Sequence, residues 1–187
     1  MEQMDELRRP EDKTRLMYKV VCWFSGIIIF VTVSYGVSSS VVYASGSIPV
    51  IGQSLVNVSF PLPYFARPVT YLTLACITFF YSGLRLWQYK VAQWSQVKLA
   101  SLQLVAIVVA FSSAYQVAYS FMLWGSYFSL ELLYNNLANP VSLSSPGPAP
   151  WNLVFATQIF AALFVVSSYS VYFLRKVHQV RGISDEI

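Results

Sequence analysis

The sequence predicts an all-α fold, an integral membrane four-helix bundle with N-in/C-in topology and two apolar, Ser- and Pro-rich outer loops. Three observations carry this reading. Of the 187 residues, 56% are hydrophobic, 17% aromatic and only 11% charged, whereas about a quarter of a soluble domain is charged. The charges leave four uncharged stretches, 20–66, 68–84, 99–130 and 132–174, and roughly 20 apolar residues in a helix cross about 30 Å of hydrocarbon. When four spans are drawn through them, 11 of the 12 basic residues fall on one side. Basic loops stay cytoplasmic, so both termini are expected there, in the cell (plasma) membrane.

The N-terminal tail, 1–19, mixes Glu2, Asp5, Glu6, Glu11 and Asp12 with basic residues and is expected to be solvated. The apolar run that follows is too long for the hydrophobic region of a signal peptide, and it reads as the first span, 20–43. Residues 44–67 form the first outer loop, which ends at Arg67, the one basic residue outside. The second span, 69–86, is the shortest, and it lengthens if Arg85 snorkels toward the inner headgroups. Residues 86–98 then join it to the third span, 99–124, with Lys90 and Lys98 at the anionic inner surface.

In the third span Ala106, Ala110, Ala114 and Ala118 recur every fourth residue, with Ser113, Gln116 and Ser120 on the same half of the helix. Small residues at this spacing let helix backbones approach closely, so this half is expected to be a packing face. Leu104, Val108, Phe111, Tyr115 and Met122 take the opposite half. The second outer loop, 125–150, ends in the Pro-rich run "NPVSLSSPGPAP", a stiff lead into the fourth span, 151–174. A cytoplasmic tail, 175–187, closes the transmembrane domain of 20–174. Gln116 lies eight residues below Trp124 and Gln158 seven below Trp151. Both are therefore roughly 10–12 Å deep and able to meet between helices.

The chemistry expected is sparse. His178 is the one histidine, and it stands in the C-terminal tail, so the chain alone makes no multi-histidine metal or haem site. Cys22 and Cys76 differ in expected depth by about 9 Å, beyond the roughly 7 Å reach of a disulfide, and read as packing residues. No Asp or Glu lies in a span, which argues against a proton-coupled carrier. No nucleophile-and-base motif accompanies the serines, so neither a catalytic residue nor a cofactor is assigned. The basic residues report membrane orientation and carry no nucleic-acid meaning.

Arg67 reads either as an interfacial anchor or as the partner of Glu131, the single acidic residue on the outer side. Asn57-Val58-Ser59 is a glycosylation sequon on that side. The expected partners are the lipid bilayer and another membrane protein or further copies of the chain. Three functions fit in descending order. They are a structural or accessory subunit of a membrane complex, a carrier or channel for a neutral or lipidic solute, and a membrane enzyme or redox component whose cofactor comes from a partner.

Overall fold

The computed structural model describes residues 12–43, 51–57, 67–138 and 150–185. They form five helices, and no strand occurs among them: α1 Asp12–Tyr43, α2 Ile51–Asn57, α3 Pro68–Ala92, α4 Gln96–Ala138 and α5 Trp151–Asp185. Four are long and apolar enough to cross a membrane, over Lys13–Val42, Pro68–Ala92, Gln96–Leu133 and Trp151–Val177. The chain is therefore a multi-pass membrane protein. The first eleven residues, most of the expected first outer loop (44–50 and 58–66), the Pro-rich run over 139–149, and the His178 side chain lie outside the described residues.

Local chemistry sets the helix ends. Pro68 stands at the first helical position of α3, where its missing N–H costs nothing, and it holds Arg67 extended at φ −84°, ψ 150°. The carbonyl of Pro150 accepts from Leu153 N and Val154 N at 3.1 and 3.2 Å, opening α5 at Trp151. Several helices outrun the spans read from hydropathy. Residues 86–92 continue α3 and leave a connector of only 93–95, because no Gly or Pro interrupts them. The stretch from Gly125, expected as loop, stays helical to Ala138, shortly before Pro140. Part of the first outer loop forms the short α2.

The helices alternate in direction. At one end the α1 residue Tyr18 meets Tyr81 of α3, and Val91, Leu99, Phe173, Leu174 and Val177 from α3, α4 and α5 make a buried cluster. At the other end Leu55 and Val56 of α2 bury themselves with Val69 and Leu72 of α3, against Ile29, Cys76, Trp151, Val154 and Phe155. Extensive packing joins α1 to α3, α3 to α5 and α5 to α4, while α2 touches α1, α3 and α5. Thus α5 separates α3 from α4 although only three residues connect them in sequence.

Hydroxyls within the spans are largely turned back on their own helices. Ser38, Ser39, Thr73, Thr78, Ser82, Thr157, Ser167 and Ser170 each donate to the carbonyl four residues earlier, at 2.6–2.8 Å. In lipid this satisfies the hydroxyl without a partner helix. Cys22 and Cys76 are free and half-buried.

Candidate functional site

Near the end where α3 finishes and α4 begins, an arginine faces inward. Arg85 follows Tyr81 by four residues, so both lie on one face of α3, and its guanidinium carbon sits 5.6 Å from the Tyr81 ring centroid. Tyr81 packs edge-on against Tyr18 of α1 at 6.2 Å and against Tyr169 of α5 at 4.9 Å, tilted by 50°. Arg85 is within side-chain hydrogen-bonding reach of the Tyr81 and Tyr169 phenols, and it feels Tyr18 electrostatically. Its buried Nε has no hydrogen-bond partner among the described residues. A cation is expensive at this depth, and phenol oxygens with aromatic faces offset part of that cost.

Two openings adjoin the cluster. A cleft of about 230 Å³ between α3 and α5 is lined by Ile77, Thr78, Phe80, Tyr81, Val165, Val166 and Tyr169. A narrow notch of about 20 Å³ is bounded by Arg85, Gln88, Tyr169, Tyr172, Lys176 and their neighbours. Tyr169 borders both, so the apolar cleft and the cationic notch share one wall. The combination can hold an oxygen-rich anionic group beside an apolar chain. Among the described residues no three His, Cys, Asp or Glu side chains come together for a metal.

The residues singled out from sequence lie elsewhere. Ala106, Ala110 and Ala114 are half-buried, Ser113 and Ser120 are buried, and Ala118 is exposed. Opposite them Leu104, Val108, Phe111, Tyr115 and Met122 are all more than half exposed, from 57% for Val108 to 75% for Phe111. Gln116 borders an open groove of about 650 Å³ formed with Val108, Phe111, Ser112, Tyr115 and the α5 residues Phe160 and Leu163. Gln158 turns instead toward α3 and donates through Nε2 to Thr70 Oγ1 at 3.3 Å. Trp124 Nε1 donates to Thr157 Oγ1 at 3.2 Å, tying α4 to the first turns of α5.

Arg67 is exposed at the start of α3. Glu131 is half-buried and hydrogen-bonded with Tyr127, one turn earlier on α4. Asn57 is exposed at the end of α2, consistent with access to its sequon side chain.

The buried Gln158 Oε1 has no hydrogen-bond partner among the described residues. Replacing Gln158 with Leu therefore removes one long hydrogen bond and one orphaned acceptor together, and interhelical bonds in membranes average about 0.6 kcal/mol. The expected change in stability is under about 1 kcal/mol, measured as the thermal midpoint in mild detergent.

Sequence reading showed Arg85 as a charge near the inner interface and missed its cluster. The usable signal was spacing: Tyr81 with Arg85, and Tyr169 with Tyr172 and Lys176, repeat at helical intervals near the same end. No protein family, characterised protein or solved structure matches the chain.

Proposed function

We propose that the protein is a non-catalytic structural or accessory subunit of a larger membrane assembly, N-in and C-in, held to its partner through α4. One observation carries the reading: polar groups are placed on the outward side of α4 deep in the span. Tyr115 stands nine residues before Trp124, which is about 13 Å at the helical rise. It is 68% exposed and stacks on Tyr119 at 6.4 Å. Beside it Ser112 and Gln116 line the open groove. Phenol and hydroxyl groups facing hydrocarbon are costly, whereas a second transmembrane helix supplies hydrogen-bond partners and the close packing that lipid cannot.

The partner proposed is another membrane polypeptide. Native mass measurement after mild detergent extraction is expected to give a complex heavier than the chain by an amount that is no multiple of its 21.1 kDa. A photo-crosslinking residue at position 115 should then join the chain to that same added component. A monomer, or an integral multiple of the chain mass, overturns the reading. A homo-oligomer would instead favour the second reading, a carrier or channel for a neutral or lipidic solute, in which the α3–α5 cleft would take the lipidic solute.

The orientation rests on the clustering of Arg85, Lys90, Lys98, Arg175 and Lys176 at the end where α3, α4 and α5 share a buried cluster. A fluorescent protein fused after Ile187 is expected to mature in the cytoplasm. Activity of an alkaline phosphatase fused at that same position would reverse the orientation.

A further inference from the structure

We propose that the cleft between α3 and α5 is a binding site for an anionic phospholipid, its phosphate at Arg85 and an acyl chain along Ile77, Phe80 and Val166. The argument begins with charge. Arg85 and Lys176 border one notch, and no Asp or Glu is among its described lining residues. The contacts of the guanidinium among the described residues are with phenols, and its Nε proton is unused. Phenols leave the cation its full charge, so an incoming phosphate oxygen gains charge-assisted hydrogen bonds where a neutral solute does not. Tyr81 and Tyr169 border the adjoining cleft, and their phenols hold the guanidinium beside it.

Depth agrees with a headgroup. Arg85 precedes the end of α3 by seven residues, about 10 Å. Lys176 stands one residue before the end of the apolar part of α5. Trp87 and Lys90 follow within two turns, with the Lys90 ammonium 5.8 Å from the Trp87 ring centroid, as in an interfacial belt. The notch, at about 20 Å³, admits an oxygen rather than a whole hydrated anion. Across Tyr169 lies an apolar cleft about ten times larger, whose lining residues Phe80 and Val165 are exposed at the surface. A free phosphate uses only the notch. A phospholipid uses both and arrives from the bilayer side with its chain already in hydrocarbon. Basic pockets between transmembrane helices near the cytoplasmic surface bind anionic headgroups on this same physical basis.

The test uses the full chain in mild detergent, loaded separately with palmitoyl-oleoyl phosphatidylglycerol and palmitoyl-oleoyl phosphatidylcholine, with lipid retention read by native mass spectrometry. Wild type is expected to retain the anionic lipid about tenfold better, the scale of one strong charge-assisted contact. Arg85→Gln should remove that preference, while the exposed Arg175→Gln keeps it. Val166→Trp fills the cleft without changing charge and should reduce retention of the anionic lipid several-fold. Equal retention of the two lipids by wild type overturns the proposal. So does an equal loss in Arg175→Gln and Arg85→Gln, which would mark diffuse surface attraction, or displacement of the lipid by millimolar inorganic phosphate, which would mark a free-anion site. If Arg85→Gln does not fold, unchanged retention in Val166→Trp is by itself sufficient to reject it.

Discussion

Substituting Leu99 with Ala is expected to destabilise the protein by about 2 kcal/mol, a large effect for one side chain outside any site. Leu99 is 0% exposed in the first turn of α4, where it fills the space between Val91 of α3 and Phe173, Leu174 and Val177 of α5. In a soluble protein the loss would combine a transfer term with a cavity term. Here the separated helices remain in lipid, which is as apolar as Leu, so the transfer term largely drops out and lost dispersion contacts remain. The measurement is the thermal midpoint in mild detergent, expected to fall by about 4–8 °C. Leu104→Ala is the control: Leu104 is 64% exposed, and its removal should change stability by less than about 0.5 kcal/mol. Equal losses at the two positions would show that the buried cluster does not hold the three helices together.

Gly36→Leu is expected to detach α2 from the rest of the fold. A Cβ on Gly36 would lie 2.9 Å from Leu55 Cδ2, 3.0 Å from its Cγ and 3.1 Å from Ile51 Cγ2. On the other side of α2, a Cβ on Gly52 would lie 3.1 Å from Trp151. A short helix held this closely on two sides has no room to slide, so the added side chain must push it outward. Overpacking of this kind costs about 1–3 kcal/mol. The readout is maleimide labelling of Val56→Cys in a background where Cys22 and Cys76 are replaced by Ala. Val56 is 0% exposed, so the thiol should be protected while Gly36 is retained and become reactive once Gly36→Leu is added. Protection in both would show that Leu55 and Ile51 simply rotate away.

The spanning helices were legible because hydrocarbon imposes a length and excludes charge, and both constraints are visible in uncharged runs. The full extent of α4 was less so. Gly125 is a weak breaker in lipid, and the helix continues through Trp124, Tyr127 and Phe128, which pack their rings together. The segment Ile51–Asn57 has no sustained apolar period. Its helicity comes with the burial of Leu55 and Val56 among Val69, Leu72, Trp151 and Phe155, residues distant in sequence.

Neighbour order was illegible for a related reason. A three-residue connector suggests that α3 and α4 pair, whereas the Val91–Leu99–Phe173 cluster brings α5 between them. Arg85 shows the same limit at a single residue. Sequence gives its depth, but whether it turns toward headgroups or toward Tyr81 and Tyr169 depends on how α3 is rotated against α5.

The arrangement of interfaces also sets an order of opening. The α4–α5 pair and the α1–α3 pair are each packed more extensively than the α3–α5 seam that joins them. A sparsely packed seam opens at lower free energy than the molecule as a whole unfolds. The α3–α5 seam is therefore the one that opens first, letting the α4–α5 pair shift against the α1–α3 pair. That freedom is a store of conformational entropy that an occupant of the α3–α5 cleft would remove, so binding there would stiffen the chain even without moving a helix.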